Sequence, residues 1–157
     1  MASVDFDLAS KASASLAPDV DELVQLLNNC LANEICRSLH LSRRRYFERK
    51  RSGGLAAGEL PGIASEPQVH ADLIATRIVE LGGELDFQRR IFEAKGKLAL
   101  ACWGSDEHVA EDSLAAEALV IDGYHEVLRC IGSCDPKTRE LIDRLRSPIF
   151  AYDQFAT

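Results

Sequence analysis

The sequence predicts an all-α fold, a four-helix bundle with a long connection between its second and third helices. Apolar residues recur at spacings of three and four through long segments, strand-like alternation is hard to find, and glycine or proline closes each segment. The chain has 157 residues, 46% of them hydrophobic and 27% charged, the balance of one soluble globular domain with one core.

The first predicted helix runs from about Pro18 to Arg51, opened by Pro18 or Asp19 and closed by the Ser-Gly-Gly that follows. A second begins near Pro61 or Ser65 and passes through ADLIATRIVEL to Gly82 and Gly83. Ser65 and Gln68 have capping-box spacing, which lets this helix begin there and leaves Pro67 in the first turn, where a missing N–H is tolerated. Residues 84–106 carry mixed signals, and their structure is left open. The third helix spans about Ser105 to Cys130, with Gly132 after it. In DPKTRELIDRL, Asp135 caps a fourth helix and Pro136 takes its first position. Ser147-Pro148 should end it, so this helix is truncated. Short outer turns around a long middle connection imply a single crossover, with the second and third helices parallel. The organisation expected is a flexible arm at 1–17, a bundle domain at 18–146 and an irregular tail at 147–157.

Composition narrows function. A formal net charge of −7 disfavours nucleic-acid and anionic-membrane partners. The basic stretch SRRRYFERKR is read as a solvated helix C-terminus, where cations suit the dipole. No window approaches a membrane span, and MASVDFDLASKASASLAPD lacks the layout of a secretory signal. Five cysteines without zinc-type spacing read as reduced thiols of a cytoplasmic protein, with Cys30 and Cys36 as small buried filler. Leu98, Ala99, Leu100, Ala101 and Trp103 suit either a subunit interface or core packing.

The chemistry lies in polar residues set within apolar stripes. On the first helix Leu27, Leu31, Glu34, Ser38 and Leu41 share a face, which aims Glu34 inward. On the second, Ile63, Pro67, His70, Ile74, Ile78 and Leu81 bring His70 inward. On the third, Leu114, Glu117, Ile121, Tyr124 and Leu128 place Glu117 in the same interior. A buried carboxylate needs a neutralising partner. One such glutamate alone reads as a boundary residue or as the partner of an arginine. Two, with an imidazole, read as a site for iron, manganese or zinc. Glu66, in the first turn of the second helix, is either solvent-exposed or turned toward that metal.

The runs LNNCLANEICRSLHLSRRRYF, EPQVHADLIATRIVELGGELDF and AAEALVIDGYHEVLRCIGSCDPKTRELIDRL resemble bacterioferritin and related ferritin-like proteins over most of residues 20–145. The most specific elements are the inward glutamate of the first helix, HAD followed by IVELGGE on the second, and the glutamate of the third. The resemblance implies a ferritin-like bundle, iron storage or homeostasis, ferroxidase activity, and assembly into a homo-oligomer or with a paralogous ferritin. It implies a two-iron site with one glutamate on each of two helices and a Glu-x-x-His pair on each of the others. Glu34, Glu117 and His70 match three of those six ligands, while Pro67, Ile149 and Tyr152 stand where the other three belong. Haem is not expected, because Gln68 stands where the family's haem methionine would be. Loss of half the ligands leaves as the alternative a metal-free scaffold or assembly subunit.

Overall fold

The computed structural model describes residues 17–51, 53, 66–86 and 108–147. Among the described residues there are four helices: α1 (Val20–Arg51), α2 (Glu66–Glu80), α3 (Val109–Ile131) and α4 (Pro136–Leu145). Ile63, Ser65, Leu98–Trp103, Ile149 and Tyr152 lie outside the described residues, as do nearly all of the predicted arm and tail. Among the described residues, no helix is long and apolar enough to cross a membrane.

Local signals set the helix ends. The Asp19 carboxylate accepts the Asp21 N–H at 3.0 Å, and the Asp19 carbonyl accepts the Leu23 N–H at 2.9 Å, which opens α1. Pro67 sits in the first turn of α2, as its missing donor requires. At the other end, Gly82 takes φ +78° and donates to the Val79 carbonyl, while Gly83 donates to Ile78, each at 2.9 Å. Those two bonds make a Schellman motif, and the positive φ accounts for glycine at 82. The Asp135 side chain accepts the Thr138 N–H at 2.9 Å, with Pro136 first in α4. α4 ends at Leu145, two residues before Ser147 and after only ten residues.

α1 is the hub. Along it, Asn28, Glu34 and Arg37 meet Glu84, His70 and Glu66 in turn, so α2 runs antiparallel to it. Asn33 and Arg43 meet Leu119 and Asp112, so α3 is antiparallel to α1 as well. α2 and α3 are therefore parallel to each other, the arrangement a single crossover produces. α4 closes the other side, touching α3 and α2. The core joins Leu23, Leu27, Cys30 and Leu31 of α1 to Ile74 and Ile78 of α2. Val120, Tyr124, Val127 and Ile131 of α3 and Ile142 and Leu145 of α4 complete it.

The register of α3 differs from the expected one. Its buried face carries Val109, Ser113, Ala116, Val120, Gly123, Tyr124, Val127 and Ile131, whereas Leu114 is 65% exposed and Ile121 39%. The two stripes share Tyr124 and lie side by side on a segment with apolar residues on both. Close approach to α1 decides between them. A Cβ placed on Gly123 would stand 3.2 Å from the Cys30 sulfur and 3.3 Å from the Asn33 amide nitrogen, so α3 presents its glycine where α1 comes nearest.

Candidate functional site

At mid-bundle one carboxylate is wholly enclosed. Glu34 is 0% exposed, held by its place between Leu31 and Ser38 on the inward face of α1. His70, on the facing side of α2, is buried, and its Nδ1–H donates to Glu34 Oε1 at 2.9 Å. A carboxylate only accepts, so this bond fixes the ring with Nε2 as the unprotonated nitrogen of the neutral form. From α3 the Tyr124 hydroxyl donates to the same oxygen. Burial, then the charge of Glu34, then that hydrogen bond push the Tyr124 pKa far upward, so the phenol keeps its proton and acts as a donor.

The second oxygen is also taken. Arg37, one turn along α1, donates from one terminal nitrogen to Glu34 Oε2 at 3.4 Å and from the other to Glu66 Oε1 of α2 at 3.5 Å. Burial works against the guanidinium charge, but Glu34, Glu66 and Glu117 outweigh it and raise the Arg37 pKa. The cation that neutralises Glu34 is thus supplied by the chain itself.

The structure brings three of the four expected residues together. Glu34 and His70 are in contact, and Glu66 turns into the site, half-buried, with its Oε1 3.8 Å from His70 Nε2. Glu117 is placed differently: it is half-buried at the edge of α3's inner face and bears on the cluster through its charge on Arg37. The shifted register of α3 puts Ala116 and Val120 on the face that Glu117 was expected to share. Sequence reading passed over Arg37, although its position three residues after Glu34 is that of a helical ion pair.

Residues 24–147 match the family model of the ferritin-like domain. The chain belongs to the ferritin-like family. No curated protein matches it, and neither does any solved structure.

Ferritin-like proteins as a class imply iron, and the donors present can be judged against a two-iron centre. Both oxygens of Glu34 already accept hydrogen bonds, and a guanidinium stands between Glu34 and Glu66. Pro67 supplies no donor at the position three before His70. Among the described residues, no group of three or more His, Cys, Asp or Glu side chains is disposed to hold a metal ion. In this arrangement the side chains do not fit a carboxylate-bridged pair of irons.

Proposed function

We propose that this ferritin-like chain acts as an assembly subunit whose central site is neutralised by protein groups alone, without a ferroxidase centre of its own. The observation that carries this reading is the full commitment of Glu34, with Tyr124 and His70 on one oxygen and Arg37 on the other. Such a cluster orders three helices, because each donor comes from a different turn and would be left unsatisfied by any other packing. Val69 and Val79 of α2 and Leu39 and Tyr46 of α1 are exposed apolar side chains, suited to cover by further copies or by a paralogous ferritin. A cytoplasmic place of action belongs to the proposal. Cys30 and Cys130 are thiols, the state a reducing compartment maintains.

A second reading is a bacterioferritin-like iron-binding protein for iron storage or homeostasis. It is favoured by Glu34, His70 and Glu66 lying beside one another, residue types of the kind that bind Fe(II).

Aerobic Fe(II) titration separates the two, with ferric absorbance followed in time and protein-bound iron measured after gel filtration. The assembly reading expects oxidation at the rate of protein-free buffer, no retained iron, and an oligomer by light scattering. Stoichiometric iron that disappears in Glu34→Ala and His70→Ala would replace it with the second reading.

A further inference from the structure

We infer that α3 carries a docking seam for a second copy of this chain, made of Glu111, Leu114, Ala118, Ile121 and His125, which pairs with itself in antiparallel fashion about a two-fold axis at Ala118. The inference rests on the assembly reading above and deepens it by naming one contact through which copies join.

These positions follow one another at spacings of three, four, three and four, the repeat that keeps a line of side chains on one side of a helix, and all of them are exposed. They lie opposite the buried face of Val109, Ala116, Val120 and Val127, so the core does not use them. Leu114 is the most exposed aliphatic side chain among the described residues, and Ile121 stands two turns on along the same line. α4 does not cover them. It runs antiparallel to α3, with Arg139 on the Gly132 carbonyl and Arg146, at its C-cap, lining a surface depression with Asp122 and His125. Its end is therefore level with the His125 end of the seam. Aliphatic side chains gathered on one exposed helix face, with Ala110 and Ala115 beside them, make the kind of patch that marks an interface.

The order along the seam selects the occupant. In either direction it runs polar, aliphatic, small, aliphatic, polar, so two copies laid in opposite directions set Leu114 of each against Ile121 of the other. Ala118 then meets Ala118, where small side chains let the helices approach. The charged ends match as well. Glu111, whose side chain is 79% exposed, falls beside His125 of the second copy, and an imidazole N–H donates to a carboxylate whether or not the ring is charged. The His125 end is basic on balance, because Arg129, Arg139 and Arg146 line the depression against Asp122 and Glu126. Parallel pairing would instead place Glu111 on Glu111 and His125 on His125, a juxtaposition of like groups that is unfavourable. A seam this short engages far fewer side chains than the roughly 20–30 a side of a standard interface, so the association expected is concentration-dependent.

Sedimentation equilibrium of the full chain, from low to high micromolar concentration, reads the association. Leu114→Glu and Ile121→Glu are expected to weaken it about ten-fold or more, since each sets a carboxylate against an aliphatic side chain of the second copy. Glu111→Lys and His125→Glu are each expected to weaken it too, and Glu111→Lys/His125→Glu to recover most of the loss, a coupling that arises only between opposite ends of two copies. Ala118→Cys under mild oxidation is expected to give a disulfide joining two copies at position 118, identified by mass spectrometry of the digested protein. All these positions are exposed, so the variants are expected to keep the circular dichroism of the wild type. An oligomer whose affinity is unchanged in both glutamate variants, with no bridge at position 118, overturns the inference while the assembly reading stands. Weakening in the glutamate variants without recovery in the charge-swapped one overturns the antiparallel pairing. A monomer at every concentration overturns the inference together with assembly of the chain with itself, and if the introduced thiol then also resists alkylation, the face is covered by the chain's own residues.

Discussion

The Tyr124 hydroxyl of α3 donates to Glu34 Oε1 of α1, and both side chains are buried almost completely. This one contact ties the polar centre of the bundle to the helix that the sequence alone placed least well. Tyr124→Phe removes the donor and leaves the ring packing in place. A hydrogen bond to a charged group contributes about 1.5–3 kcal/mol, and a loss in that range is expected by urea unfolding. A loss below about 0.5 kcal/mol would mean that Glu34 has no need of the phenol.

Asn28 is the only side chain described here that holds the start of the crossover to α1 from both directions. Its amide nitrogen donates to the carbonyls of Val24 at 3.1 Å and Glu84 at 3.0 Å, and its oxygen accepts the Asp86 N–H at 2.9 Å. Asn28→Ala removes these part-buried hydrogen bonds, each worth about 0.5–1.5 kcal/mol. Faster hydrogen exchange at the Asp86 amide is expected in the variant, and unchanged exchange would count against this role.

Gly83 is needed for space and Gly82 for conformation. A Cβ on Gly83 would stand 2.6 Å from Cγ1 of Val24 and 3.1 Å from Cγ2 of Ile78. Valine is stiff at χ1 and gives way poorly, so Gly83→Ala is expected to cost about 1–3 kcal/mol. Val24→Ala in the same chain should restore most of that, a coupling a double-mutant cycle measures directly. At Gly82 nothing lies within 4 Å of an added Cβ, but φ is +78°. Gly82→Ala therefore costs about 1–2 kcal/mol through the backbone, and Val24→Ala should not relieve it.

Asp135 gives the fold an acid-sensitive joint. Burial acts to raise its pKa, but the Thr138 hydroxyl and N–H and the Arg77 guanidinium hold it below the usual carboxylate value. A depressed pKa in the folded state contributes stability above the unfolded value, about 3.9, and loses it as pH falls through the folded one. Asparagine can still cap a helix but has no charge for Arg77. The stability gap between wild type and Asp135→Asn should thus be widest near neutrality and shrink below about pH 4. A gap independent of pH, from chemical unfolding at several pH values, would show that the charge is irrelevant there.

Several helix ends were legible in the sequence because they rest on a local chemical cue: Asp19, Pro67, Gly82, Gly132, Asp135 and Pro136 all act within a turn of where they stand. By contrast, α3 begins after His108 with no side-chain cap, and its expected start at Ser105 lies outside the described residues. The inward faces of α1 and α2 were legible too, since each carries one unbroken apolar stripe around Glu34 and His70. α3 was not, because LAAEALVI is apolar on two adjacent faces, and the choice is made by where Gly123 meets Cys30 on another helix. Glu117 consequently lies at the edge of the interior. Arg37 escaped notice for a related reason. Its long stem carries the charge back from the side of α1 to Glu34, and a stripe drawn through Cα positions does not follow a flexible side chain.

α1 is covered by α2 on one flank and by α3 on another, and α3 begins only at Val109. During synthesis, therefore, α1 emerges well before the helix that completes its cover. Cys30, Cys36 and the inner leucines must wait in a half-built state until residue 131 has left the ribosome, a delay set by contacts remote in sequence. The interval in which nascent chains of this protein can stick to one another, or need a chaperone, is written into the position of its central helix.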